Sequence, residues 1–211
     1  MFRDRGDAAR QLAERLEEFR GRKPLVLAVP RGGVPMGRVL ADHLQGDLDV
    51  VLVRKIPAPG NPEYAIGAVD EDGRQYLRPS GELSYGKAYI AKAAATQQTL
   101  LARRRELYSG VRHVPVDPTG RQVIIVDDGS ATGATMEAAL AVTRLRAPAM
   151  LVAALGAAPP DVVTRLQSLA DRVVCIEVSA DFFAVGQFYK AFPQVSDDEV
   201  LAMLRPPEEV Q

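Results

Sequence analysis

The stretch Val123–Thr135, V-I-I-V-D-D-G-S-A-T-G-A-T, constrains the fold more than any other part of the chain. Val123, Ile124, Ile125 and Val126 form an unbroken apolar run, which predicts a strand buried on both faces and therefore a parallel sheet covered by helices. From Thr132 onward T-G-A-T-M-E-A-A-L-A-V-T-R-L has helical spacing, so the polar residues between are a strand-to-helix loop. Asp127 and Asp128 then stand at the strand's carboxyl end, the edge of an open α/β sheet where ligands bind. Adjacent carboxylates there can accept hydrogen bonds from two neighbouring ribose hydroxyls. Gly129, Ser130, Ala131, Gly133 and Ala134 let the backbone approach an anion closely, Thr132 and Thr135 offer hydroxyls, and the following helix points its N-terminal N–H groups at the same place. The bland alternative is an ordinary turn whose acids cap the helix or ligate a metal.

The same alternation runs through most of the chain. Ala8–Phe19 reads as an amphipathic helix on the sheet edge, with Asp7 available as N-cap. Leu25–Val29 is a short buried strand, followed by P-R-G-G and a helix to about Leu44; Leu48–Val53 is the next strand, ending at Arg54 and Lys55. Ile56–Glu63, rich in Pro and Gly and without apolar period, reads as a mobile loop before a hairpin, Tyr64–Val69 and Arg74–Leu77, turning at Asp72-Gly73. Lys87–Tyr108 is the longest helix candidate. Its face Tyr89, Ala93, Leu100 and Leu107 suits a lid, a homodimer contact or core, and core packing is the expectation. Strands at Met150–Leu155 and Val173–Val178 flank a helix from Pro160 to about Leu169. Repeated strand and helix units imply an α/β fold with right-handed crossovers.

The signature resembles the phosphoribosyl-pyrophosphate (PRPP) motif of the type I phosphoribosyltransferases: four apolar residues, two acids and a short loop ending T-G-x-T. In that family the acids bind the ribose 2′ and 3′ hydroxyls and the loop binds the 5′-phosphate. The resemblance assigns Asp127 and Asp128 to the first role and Ala131, Thr132, Gly133, Ala134 and Thr135 to the second. It also implies a single Rossmann-type domain over residues 1–211: a core of about 24–180, a helical insertion of about 84–113 and a C-terminal hood of about 181–211. A-V-P-R-G-G-V-P resembles the family's pyrophosphate loop, which would place a cis peptide between Pro30 and Arg31 and turn Pro30, Arg31, Gly32 and Gly33 toward the pyrophosphate. V-R-K-I-P-A-P-G-N-P-E-Y resembles the loop that closes over the reaction centre, with Arg54 and Lys55 meeting pyrophosphate and Asn61, Glu63 and Tyr64 in the loop. D-F-F-A-V-G-Q-F-Y resembles the hood of purine-type members, with Phe183 stacked on the base and Ala184 and Val185 beside it. On general grounds Phe182, Phe183, Phe188 and Tyr189 would more often be core aromatics.

Departures matter too. Several purine-type members carry an acid where this chain has Ala131, an acid that follows the hood is replaced by Lys190, and no lysine stands near Gly156-Ala157. The acceptor base is therefore not legible. The resemblance implies a Mg²⁺-dependent transferase in which PRPP and a nitrogen nucleophile, a nucleobase, give a nucleoside 5′-monophosphate, with Asp127, Asp128, Arg54 and Lys55 at the chemistry and no metal ligand assigned directly. The alternative is a PRPP-binding regulator without turnover, and a remoter one is a phosphatase or sugar-phosphate binding module on the same loop. A net charge of −1 argues against nucleic-acid and membrane partners. No apolar run is long enough to span a membrane, and M-F-R-D-R-G-D is too charged for a signal-peptide core. The single cysteine, Cys175, fits a small core residue and a reducing cytoplasm. No G-x-S-x-G elbow, Walker A motif or cysteine cluster is present.

Overall fold

The computed structural model describes residues 1–78, 85–108 and 115–205, apart from the side chains of Pro62 and Glu63. The expected bounds of the insertion and the hood run past these residues at 84, 109–113 and 206–211. Five parallel strands form the core sheet: β1 (Leu25–Ala28), β2 (Asp47–Val50), β6 (Gln122–Gly129), β7 (Met150–Ala158) and β8 (Arg172–Val178), in the order β2-β1-β6-β7-β8. Val123, Ile124, Ile125 and Val126 are fully buried, as their unbroken apolar run requires, and β1 and β7 flank them in register. Side chains alternate between two apolar layers. Val26, Ile124, Val126 and Val152 share one with α1 (Arg5–Arg15) and α2 (Gly33–Leu44). Leu25, Ile125, Leu151 and Leu155 share the other with α4 (Ala134–Arg144) and α5 (Pro160–Leu166). Truncating one of the buried Leu or Ile side chains among these to Ala would cost about 2–5 kcal/mol.

Strand order reverses between β1 and β6. The chain leaves β1 through α2 toward β2 on one side, whereas β6, β7 and β8 extend to the other. The carboxyl ends of β1 and β6 therefore flank a topological switch point, where a crevice forms because the two loops diverge.

Several expectations need correction. Helix α1 is capped by Asp4, whose side chain accepts from the Asp7 N–H at 2.8 Å, and Asp7 lies in the first turn. The helix packs against α2, β7 and β8 through Ala8, Ala9 and Leu12, on the face of the sheet rather than its edge. Strand β2 stops at Val50, and Ile56–Glu63 is no patternless loop. β3 (Val53–Ala58), β4 (Asn61–Asp70) and β5 (Gln75–Leu77) form a separate three-stranded antiparallel sheet, so Arg54 and Lys55 lie in its first strand. Pro57 misled because proline suggests a break; here it sits in an edge strand at a register shift, where no ladder hydrogen bond is lost. The turn uses Gly60 at φ 71°. Asp72-Gly73 turns between β4 and β5 as expected, with Gly73 at φ 82°.

Helix α3 (Lys87–Tyr108) packs on β3 and β4. Its buried stripe is Ile90, Ala94, Leu101, Arg105 and Tyr108, one residue round from the expected face, and Leu100 and Leu107 are exposed. Arg105 accounts for the rotation. Its guanidinium reaches buried Asp49 at 3.1 Å and Glu71 at 2.5 Å, fastening α3 to β2 and to the hairpin turn. A buried cation needs such partners, so the helix turns to bring Arg105 inward. After β8 come a short 3₁₀ turn, Val185–Phe188, and α6 (Asp197–Leu204), started by a Ser196–Glu199 capping box.

Candidate functional site

Two loops rise from the switch point. After β1 the chain turns through Val29–Gly32 into α2, held by Val29 N–H donating to the Val126 carbonyl at 2.9 Å and Gly33 N–H to the Val29 carbonyl at 3.0 Å. The Pro30–Arg31 peptide is cis, the conformation the resemblance implies. The two glycines are required by packing against the neighbouring strand. A Cβ on Gly33 would lie 2.5 Å from the Val126 carbonyl oxygen, and one on Gly32 would lie 2.1 Å from Asp128 Oδ2.

After β6 the second loop runs from Ser130 to Gly133, and α4 begins at Ala134, two residues later than the sequence suggests, with Gly133 at φ 78° as N-cap. Ser130 Oγ accepts the Gly133 N–H at 3.1 Å, while Ala131, Thr132 and Thr135 are exposed at the mouth. Arg165 of α5 braces the loop, donating to the Thr132 carbonyl at 2.7 Å and to Glu137 at 2.8 Å. The loop therefore keeps its exposed hydroxyls and the N-terminal end of α4 directed outward, as an anion cradle needs.

The two acids between these loops differ in surroundings. Asp127 is partly exposed, and its carboxylate accepts the Asp128 N–H at 2.9 Å. Desolvation, and then the neighbouring Asp128 charge, hold its pKa well above the ordinary carboxylate range. Asp128 is buried beneath Gly32 and accepts from Arg5 Nε at 2.8 Å. Arg5 also donates to the Pro193 carbonyl at 2.7 Å, and its guanidinium lies 3.8 Å from the Phe192 ring centroid. Tyr189, whose phenol is kept protonated by burial, donates to the Asp128 carbonyl at 2.5 Å. One acid is thus open to the crevice, whereas the other is tied to both ends of the chain.

The hood is seated on the same strand end. Val185 packs on Gly129, where a Cβ would lie 2.7 Å from Val185 Cγ1. Phe182 pairs with Phe188 at 4.9 Å, and Tyr189 packs with Phe2 at 5.0 Å, so these aromatics are structural. Phe183 differs from them. It is 90 % exposed, which excludes a core role and leaves a flat ring free beside Ala184. Gln187 Oε1 accepts the N–H groups of both Phe183 and Ala184, so those two donors are already engaged.

Arg54 lines the neighbouring cleft despite lying in the hairpin, and Lys55 lines only a hollow beside it. A cleft of about 460 Å³ is walled by Pro30, Arg54, Arg103, Arg104, Leu107 and Thr135, bringing the β1 loop, the first turn of α4 and α3 to one space. An adjoining hollow of about 340 Å³ adds Lys55 and Gln97, and Arg54 donates to Gln97 at 2.7 Å. Asn61 accepts the Tyr64 N–H at 3.2 Å in the hairpin, Tyr64 is exposed, and the side chain of Glu63 is outside the described residues. Sequence reasoning missed Arg5, Arg104 and Arg165. Each is an arginine in a helix with no local motif, and only the fold brings it to the crevice. No helix among the described residues is long and apolar enough to cross a membrane.

Comparison with known proteins agrees with this architecture. The model of the phosphoribosyl transferase domain family matches residues 5–190. Two curated proteins from Mycobacterium tuberculosis strains, whose names place them provisionally among the phosphoribosyl transferases, are each 45 % identical over 207 residues, 97 % of this chain and 46 % of their own length. The chain thus spans less than half the length of these relatives. The crystal structure of TT1426 from Thermus thermophilus superposes with a TM-score of 0.90 at 46 % identity, covering 96 % of this chain and 97 % of that one.

Proposed function

The chain belongs to the phosphoribosyl transferase family, and on that premise we propose that it displaces pyrophosphate from PRPP with a nitrogen nucleophile, a nucleobase, to give a nucleoside 5′-monophosphate. The observation that carries this reading is the pairing of β1 with β6 at the switch point, which sets the Pro30–Gly33 loop against Asp128 and beside the loop after β6, together with the cleft that Pro30, Thr135 and Arg54 wall. Thr132, Thr135 and the start of α4 hold the 5′-phosphate. Asp127 orients the ribose hydroxyls, and binding them in its ionised form places negative charge beside a ribosyl cation-like centre. Asp128, neutralised by Arg5, sets the backbone on which Asp127 stands. As the C1′–O bond to pyrophosphate breaks, Arg31, Arg54 and Lys55 take up the charge that develops on the leaving group. The base nitrogen then closes on C1′ from the side of Phe183, whose free ring suits a stacked, flat acceptor.

The donor set is compatible with magnesium. Among the described residues no three His, Cys, Asp or Glu side chains gather into a metal site, and Mg²⁺ characteristically binds through one or two carboxylates plus substrate phosphates rather than in an all-protein cage. Carried on the pyrophosphate and supported by Asp127, the ion would neutralise the leaving group. Ala131 supplies no carboxylate for the base, which leaves removal of the base's proton to solvent, to the base's own acidity or to another residue. A PRPP-binding regulator without turnover is the second reading, favoured by Ala131 and by the engagement of Asp128 with Arg5. PRPP with Mg²⁺ should raise the melting temperature of the protein, because a ligand bound by the native state alone shifts unfolding by mass action. The double variant Asp127→Asn, Asp128→Asn should lose that rise; a rise of equal size in the folded double variant would refute the ribose assignment.

A further inference from the structure

The resemblance assigns no role to α3, yet this helix forms a wall of the cleft beside the Pro30–Gly33 loop. Leu100, Arg103, Arg104 and Leu107, spaced i, i+3, i+4 and i+7, face that cleft. The direction of this stripe is fixed. Arg105, buried against Asp49 and Glu71, sets the rotation of the helix, so its neighbour Arg104 points into the cleft.

Arg104 does not stand alone there. Its Nη2 is 3.9 Å from Asp197 Oδ1, and Nη1 of Arg31, from the β1 loop, is 3.8 Å from Asp197 Oδ2. Two guanidinium groups far apart in the sequence, from the β1 loop and from α3, thus converge on one carboxylate at the start of α6. Neither contact is short enough for a hydrogen bond, and the Arg31, Arg104 and Asp197 side chains are 39 %, 40 % and 40 % exposed, so the attraction is weak. Asp197 takes one direct hydrogen bond, from the Tyr108 hydroxyl at 3.2 Å, and is held only weakly by the two guanidinium groups, of which Arg104 also lines the cleft with Arg54 and Arg103. A pyrophosphate group carries more charge than one carboxylate and offers oxygens in the fork geometry that guanidinium matches.

We propose that Arg104 of the inserted helix joins Arg31 in binding the pyrophosphate group, which displaces Asp197 from between them. This rests on the reading that the Pro30–Gly33 loop receives pyrophosphate. Calorimetric titration of the full chain with inorganic pyrophosphate in the presence of Mg²⁺ tests it. Arg104→Gln should weaken binding about tenfold or more, the size expected for a lost charge-assisted contact, and Arg104→Lys should lose less. Asp197→Asn should tighten binding about threefold, because the resident competitor has lost its charge. Melting of each variant without ligand checks that the fold is kept; Arg104 Nε donates to the Tyr108 hydroxyl and that hydroxyl to Asp197, each at 3.2 Å, so a small fall is expected, and Arg104→Lys and Asp197→Asn, which each keep a polar partner for Tyr108, remain informative alone. Unchanged binding by Arg104→Gln, or unchanged or weaker binding by Asp197→Asn, overturns the proposal while leaving the functional reading in place. Failure of the unaltered protein to bind pyrophosphate or PRPP overturns both.

Discussion

Arg5 offers the sharpest test of how the site is held together. Arg5→Met keeps most of the stem but deletes the charge and the guanidinium that lies 3.8 Å over the Phe192 ring. Asp128 would be left as an unpaired carboxylate only 10 % exposed, and the Pro193 carbonyl would lose its donor. Removing one partner of a buried pair costs about 3–5 kcal/mol, because the remaining charge keeps its desolvation penalty. At about 2–4 °C per kcal/mol for a chain of this size, melting should fall by on the order of 10 °C. The loss should also grow with pH. Arg5 lowers the raised pKa of Asp127, so without it that carboxyl holds its proton still higher in the native state. An acid whose native pKa exceeds its unfolded value contributes stability below the unfolded value and loses it as pH rises toward the native one. Denaturant unfolding of both proteins from about pH 4 to about pH 8 measures the difference. A deficit under about 1 kcal/mol, or one that does not change with pH, would refute the reasoning.

Asp127→Asn should stabilise the ligand-free protein at neutral pH and much less in acid, since its carboxyl is held above the ordinary range by burial and by Asp128; equal effects at both ends of a pH-resolved melting series would contradict this. Phe183→Ala should change stability by less than about 0.5 kcal/mol, because the ring is 90 % exposed, yet raise the acceptor's KM far more than that of PRPP. Equal losses for both substrates in steady-state kinetics would remove Phe183 from the acceptor site. Gly33→Ala should destabilise by about 1–3 kcal/mol, because its Cβ would press on the Val126 carbonyl at 2.5 Å; a melting temperature equal to the parent's would show that the loop yields freely.

What could be read from the sequence followed from local rules. Val123–Val126 announced the central strand because burial on both faces demands an unbroken apolar run, and the glycines around it announced close backbone approach. Pro57 defeated the reading of β3 because the sequence does not say that a strand is an edge. The face of α3 was misjudged by one residue because apolar spacing took no account of Arg105, which turns inward to meet Asp49 and Glu71. Phe183 is ambiguous for a related reason: composition cannot separate a ring that packs from one that stands in solvent, and only its exposure in the fold, beside the packed Phe182–Phe188 pair, decides it. Arg5 was invisible, since its partner Asp128 lies 123 positions away and nothing local marks the pair.

The central claim is that the crevice between β1 and β6 transfers a phosphoribosyl group, and pyrophosphate release measures that most directly. The protein would be mixed with PRPP and Mg²⁺ and presented with a panel of nucleobases, each scored against a control without base. The account predicts release that depends on at least one base, is matched by formation of its nucleoside 5′-monophosphate, and is abolished in Asp127→Asn, Asp128→Asn. PRPP binding with no base-dependent release, or phosphate release that ignores the base, would contradict it.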